Sequence, residues 1–295
     1  SKTPASVPLV DPSSIPYTYD LATLDFADAE ALRPVIGGKA AGFLGLLAPG
    51  TVTVPEHGMV VTVKAYLEHM AGLQNYLDVL FADVSFQSRP QIQVLLLEGI
   101  DSFDARFPGA DDQALKREFL AVHGASSLLG ELARVGGLCG LIRQTPMNPD
   151  ALAAIEAALA TQFASFDPRQ GLRFRSSSSV EDIEGFNGAG LYTSETGYLD
   201  PSLQSDPDDR KQTVEWAIKK AWASYWGFEG FGERELEAID HRSGAMALLV
   251  HARFEDELEL SNGVFMLTLM PAHAENAVVM ELNVQDGAIS VTNPP

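Results

Sequence analysis

Apolar positions along this chain follow two different periods. Between about 75 and 165 they recur mostly every three or four residues, the spacing that gathers them on one face of a helix. The run from Ala151 to Phe163, entered through Pro149-Asp150 and rich in alanine, is the clearest of these helices. A second helix is predicted over 208–226, where Val214, Ala217, Ile218, Ala221, Trp222 and Tyr225 share a face, and a third, short one over Ala65 to Met70. Val52, Val54, Met59, Val60, Val61 and Val63 make a β-rich segment, interrupted by Pro55-Glu56-His57-Gly58. From Gly171 the chain turns to short strands and loops, with strands expected at Leu172 to Arg175 and over 245–254, 263–269, 277–284 and 288–292. Residues 1–19, rich in proline and serine and without an apolar period, read as an extended arm. The remainder divides into a largely helical part, 20–168, and a sheet-rich part, 169–295. No repeat of solenoid or propeller length occurs, and the mixture of elements gives α+β or α/β.

Composition narrows the partners. A chain of 295 residues, 46% hydrophobic, can bury one large core or two smaller ones. No apolar run reaches the roughly 18 residues of a membrane helix, so no membrane partner is expected. Forty acidic residues against 20 basic ones leave a net charge of −20, which repels a nucleic-acid backbone and sets nucleic acid aside. A polyanionic small molecule would need a local island of Lys, Arg and backbone N–H groups that overturns this field. The single cysteine, Cys139, excludes an internal disulfide and a thiolate metal cluster. A reducing, cytoplasmic setting is the expectation.

Three segments carry candidate chemistry. In Gly37-Gly38-Lys39, two residues without Cβ let the backbone approach an anion, and the lysine adds a mobile point charge. The glycines read as a turn opening a small-residue helix that ends at Gly50, and the spacing of a P-loop is absent. The second segment runs from Arg173 to Gly190. Strand alternation puts Arg173 and Arg175 on one face, beside the hydroxyls of Ser176, Ser177, Ser178 and Ser179 and ahead of the loop Asn187-Gly188-Ala189-Gly190. The same residues also read structurally, with Ser178-Ser179-Val180-Glu181 as a capping box and the arginines paired to Glu181 or Asp182. In the third, alternation sends Glu281, Asn283 and Gln285 to one strand face, as oxygen donors suited to Mg2+ or as a solvated surface. The six histidines show no zinc spacing, and no nucleophile elbow occurs. His251, alone in an apolar strand, reads as a structural hydrogen-bonding residue.

In this order the segments resemble the N-terminal ATP-binding domain of the pyruvate phosphate dikinase and phosphoenolpyruvate synthase family, over about residues 30 to 290. Gly37-Gly38-Lys39-Ala40-Ala41 is similar to the family's Gly-Gly-Lys segment, and Val54-Pro55 to Tyr66 to its following V-P-x-x-G-F-x-x-T-x-x-A-Y run. Phe174-Arg175-Ser176-Ser177 with Val180-Glu181-Asp182 resembles V-R-S-S-A-x-x-E-D, and Asn187 to Gly190 stand at the family's S-F-A-G loop. Trp222-Ala223-Ser224 and Ile239-Asp240-His241 also fall in place. The resemblance implies an α+β, ATP-grasp fold of two subdomains with a mainly antiparallel sheet, binding Mg-ATP between them. It assigns phosphate contacts to Lys39 and Arg175, supported by Gly37, Gly38, Ser176, Ser177 and the 187–190 loop, and metal contacts to Glu281, Asn283 and Gln285.

The family passes a phosphoryl group from ATP to a histidine on a separate domain, leaving AMP, and then to pyruvate. No T-H-A phosphohistidine segment occurs here, so that domain is expected elsewhere in the same or another chain. The chain ends in what resembles the interior of the family domain, the expectation for a truncated one. His251 stands for the glutamine of the family's V-x-V-Q-x-M strand, Glu229 for an arginine, and Gln285-Asp286-Gly287 for its G-L-G-E loop. Two other functions fit these departures: a non-catalytic nucleotide-binding or protein-interaction module, and a dikinase acting on a glucan or an antibiotic.

Overall fold

The computed structural model describes residues 7–8, 10–48, 54–55, 57–181, 190–254, 260–270 and 277–287. Its contacts separate two compact units, Ser1–Ala252 and Arg253–Pro295. The larger is built on an antiparallel five-stranded sheet, formed by β1 (Thr18–Asp20), β2 (Met59–Val61), β3 (Leu172–Ser178), β4 (Ser194–Gly197) and β5 (Met246–Ala252). Their spatial order is β1-β2-β5-β3-β4. The sheet therefore takes strands from both the 20–168 and the 169–295 part of the chain. The smaller unit holds the antiparallel hairpin of β6 (Ser261–Met270) and β7 (Ala277–Asp286). The fold is α+β, as expected; the strand expected at 288–292 and the stop at Gly50 lie outside the described residues.

Twelve helices are described: α1 (Ala29–Leu47), α2 (Val63–Ala71), α3 (Gln74–Ala82), α4 (Val84–Ser88), α5 (Pro90–Glu98), α6 (Ile100–Arg106), α7 (Ala110–Val122), α8 (Leu128–Arg134), α9 (Gly137–Gln144), α10 (Pro149–Gln162), α11 (Val214–Ser224) and α12 (Phe228–Leu236). Several start where a side chain satisfies the free N–H groups of the first turn. Asn148 caps α10 ahead of Pro149, and Thr213 accepts from Trp216 N at 3.0 Å to cap α11. Two expectations change. Val63 opens α2, because Thr62 accepts from Lys64 N at 3.3 Å and ends the strand run at Val61. The arm is structured at its end, where Thr18–Asp20 pairs with Met59–Val61 as an edge strand.

β5 lies between β2 and β3, and all seven of its residues are buried. That is why Met246 to Ala252 reads as a continuous apolar run rather than an alternating one. On one face, α11 packs so closely that a Cβ on Gly197 would meet the Ala217 methyl at 2.9 Å and the Phe174 ring at 3.0 Å. Behind it lies an aromatic core in which Trp226 Nε1 donates to Tyr66 OH at 3.0 Å and the His241 ring stacks on Phe231 at 3.8 Å. On the opposite face α1 docks through a kink. Gly37 has φ 78° and ψ 170°, which interrupts the helix and lets its backbone touch the end of β3. A Cβ there would sit 1.9 Å from the carbonyl oxygen of Ser177.

Two predictions follow from this packing. Gly37→Ala combines a left-handed φ with a backbone clash, so chemical denaturation should show a loss of about 3 kcal/mol or more; an unchanged midpoint would contradict the docking. Burial pushes His241 down to about 3, with the Arg234 charge adding to the effect, and burial also lowers His69 and His251 from the ordinary 6.5. His241 stays neutral when folded well below pH 6.5 but is protonated on unfolding there, and the lowered His69 and His251 act in the same direction, so this stabilisation is complete above pH 6.5 and declines beneath it. Urea unfolding should give a free energy that falls from pH 6.5 toward 4.5 by about 1.4 kcal/mol per pH unit from His241 alone. A flat profile over that window would show that these rings are not buried neutral.

Candidate functional site

The kink of α1 and the end of β3 are joined by one side chain. Ser177 Oγ donates to Ile36 O at 2.8 Å and accepts from Ala40 N at 3.0 Å, so it closes the helix before the kink and caps the one after it. Lys39, in the first turn beyond Gly37-Gly38, is thereby aimed along the end of the sheet. Its ammonium pairs with the carboxylate of Glu181 and lies 3.5 Å from Ser176 Oγ. Glu181 is 2% exposed. Its second oxygen accepts from Ser178 N at 3.0 Å, the backward reach expected of a capping box, while Ser178 Oγ accepts from Val180 N at 3.2 Å. The structural and the functional readings of this segment thus meet in one residue.

Register places the other cations. Arg173 is opposite His251, and Arg175 opposite Leu249, so both arginines project from the face on which α1 docks. Arg175 is exposed, and desolvation lowers its guanidinium from the ordinary value while Glu181 opposes that shift; an arginine so perturbed is still a cation at neutral pH. Arg173 donates to Thr196 Oγ1 at 3.3 Å. His251 is buried, with Nδ1 2.8 Å from Ala252 O. Burial lowers its pKa, as do Arg175 and Arg173, so it adds no charge. From α1, Arg33 pairs with Glu30 at 2.7 Å and sends Nη1 to the Glu181 carbonyl at 3.5 Å. Lys39 on the Glu181 carboxylate, Arg33 on its backbone carbonyl and Arg175 on the same face of β3 make a local group of cations in a chain of net charge −20.

Of the residues singled out in the sequence, Gly37, Gly38, Lys39, Arg175, Ser176 and Ser177 come together here. The four serines from Ser176 to Ser179 are all buried, and the Ser177 hydroxyl is occupied in holding α1. Gly190 has φ 81°; Asn187, Gly188 and Ala189 lie outside the described residues. Glu281, Asn283 and Gln285 belong to the smaller unit, at alternate positions of β7 opposite Met266, Val264 and Asn262. Gln285 Oε1 is buried without a hydrogen-bond partner among the described residues, and it is an oxygen donor of the type hard cations take. Among the described residues no group of three or more His, Cys, Asp or Glu side chains could hold a metal. Cys139 is buried, and burial pushes its thiol up to about 12, which fits packing rather than reactivity.

Sequence reasoning missed Glu181 as the partner of Lys39, although the Ser178-x-x-Glu181 spacing marked a carboxylate that turns back. It also missed Tyr192 and Arg234, which stand behind the site and carry no local signal.

The arrangement is one that receives a polyanion: a lysine on a helix turn, an arginine at a strand end and a glycine-permitted close approach of backbone. No curated protein matches the chain. A family model described as pyruvate phosphate dikinase, AMP/ATP-binding domain matches residues 33–288, from Arg33 beside Glu181 to the end of the β6–β7 hairpin. With that match over most of its length and an α+β, mainly antiparallel architecture of the ATP-grasp kind, the chain belongs to the family of pyruvate phosphate dikinase AMP/ATP-binding domains.

Proposed function

We propose that this ATP-binding domain holds Mg-ATP with its phosphates on Lys39 and Arg175 and passes a phosphoryl group to a histidine of a separate domain. The observation that carries the reading is the pairing of Lys39 with Glu181 just beyond β3, the strand that carries Arg175 on the face where α1 docks. In the transfer, a P–O bond of ATP breaks, its electron pair leaves on the nucleotide oxygen, and a histidine nitrogen forms the new P–N bond. The cations stabilise charge on the phosphate oxygens as that bond breaks, and positioning supplies the rest. Glu281, Asn283 and Gln285 would hold Mg2+, which supplies further charge neutralisation when bound. Pyruvate is the acceptor that family membership favours; a glucan or an antibiotic is the alternative, since acceptor choice resides in other domains.

A non-catalytic nucleotide-binding module is the second reading. It is favoured by His251, which is buried and engaged with Ala252 O, and by Glu229, which pairs with Arg106 at 2.6 Å.

Thermal unfolding tests binding. Mg-ATP at 100 times its dissociation constant should add about 2.7 kcal/mol of stability to the wild type. That shift, measured from each protein's own baseline, should vanish in a Lys39→Ala, Arg175→Ala double variant; an equal shift in both would remove these residues from the site. Release of AMP when a phosphohistidine domain is supplied should then separate the two readings, the enzyme producing it and the module leaving ATP intact.

A further inference from the structure

An uninterrupted helix would bond Ala40 N to Ile36 O, four residues back. In α1 that turn is opened by Gly37, with φ 78° and ψ 170°, and the Ser177 hydroxyl lies in the gap. Its Oγ accepts from Ala40 N at 3.0 Å and donates to Ile36 O at 2.8 Å, so a side chain of β3 relays the bond that the helix lacks.

The hydroxyl has no proton left for a ligand. Serine carries one O–H to donate and two lone pairs to accept with. Ser177 gives its proton to Ile36 O, receives Ala40 N on one lone pair and is fully buried. Phosphate oxygens need donors, and in this arrangement Ser177 offers them none.

What it can do is set a spacing. Lys39 precedes Ala40 in the same turn, so fastening Ala40 N to β3 fastens the backbone from which the ammonium reaches Glu181 and Ser176 Oγ. Arg175 stands two residues before Ser177 on the same face of β3, about 6.6 Å back along the strand. The base of the lysine is thereby held at a fixed distance from the base of the arginine. Long, flexible cationic side chains hold a polyphosphate in one pose only when their backbones keep such a spacing.

We infer that Ser177 is a positioning residue that fixes Lys39 relative to Arg175, and that it gives no hydrogen bond to the phosphates. The inference rests on the reading of Lys39 and Arg175 as phosphate ligands.

Ser177→Ala removes the relay without adding bulk. Competitive acetylation of the ligand-free chain, read by mass spectrometry, needs no nucleotide. Once its backbone loosens, the ammonium leaves Glu181 and meets reagent more often, so Lys39 should be modified about fivefold faster in the variant, relative to Lys219 and Lys220, which pair with Glu215 and Glu195. An unchanged ratio would overturn the inference, and so would an equal acceleration of all three lysines, the mark of general loosening. The wild-type chain gives a second readout. By NMR its Ala40 amide should exchange slowly with solvent, and Mg-ATP should leave it as protected or more so. Fast exchange in the ligand-free chain, or protection lost on adding Mg-ATP because the hydroxyl has turned to the phosphate, would overturn the inference. In calorimetry Ser177→Ala should bind Mg-ATP about fivefold or more weakly than the wild type; equal affinity would show that the spacing does not matter to the ligand. A wild type that binds no Mg-ATP would remove the nucleotide reading alone, because the labelling ratio still decides whether Ser177 holds Lys39.

Discussion

A single carboxylate, Glu181, sets the local architecture of the site. It is buried at the end of β3, where an unpaired charge would be strongly unfavourable, so the surrounding chain is arranged to satisfy it. One oxygen takes a backbone N–H from Ser178 and the other takes the Lys39 ammonium. For the lysine to reach it, α1 must lie against the sheet, and that approach exists because Gly37 has no Cβ to strike Ser177. The kink, the capping of the helix by Ser177 and the direction of Lys39 are therefore linked consequences of placing an acid there.

The same economy of charge extends behind the site. Histidines at 69, 241 and 251 are kept neutral by burial, and the aromatic core accepts Arg234 only because Tyr192, Tyr225 and His241 take its donors. Near the end of β3, Arg33 and Lys39 lie beside Glu181, and Arg175 projects from the same face of the strand. In a chain this acidic, such a grouping of cations favours a polyanion locally against the overall field.

Much of the helical framework was legible in the chain because amphipathic periodicity and first-turn caps act over a few residues. The helix at 149–162 lies within two residues of its predicted span, that at 214–224 lies inside the longer 208–226 expected, and the apolar run of β5 was recognised as a strand. Boundaries failed where a cap competed with a propensity, as at Thr62, where one hydroxyl turned β-branched Val63 from a strand residue into the start of a helix. The edge strand at Thr18–Asp20 was hidden in a polar arm, since a three-residue strand has too few positions to show alternation.

By itself the sequence determined which residues could meet a phosphate: the Gly-Gly-Lys turn, the Arg-Ser-Ser strand end and their order along the chain. These are matters of residue type and short spacing, to which backbone freedom and strand alternation respond directly. Only the tertiary structure decided that Lys39 is held by Glu181, that Ser177 is occupied in joining α1 to β3, and that Arg234 and Tyr192 lie behind them. Each of those contacts spans more than 40 residues of chain, and Lys39 to Glu181 spans 142. No local pattern encodes a pairing at that separation; it comes from the packing of the sheet between α1 and α11, which brings distant backbone within hydrogen-bonding reach.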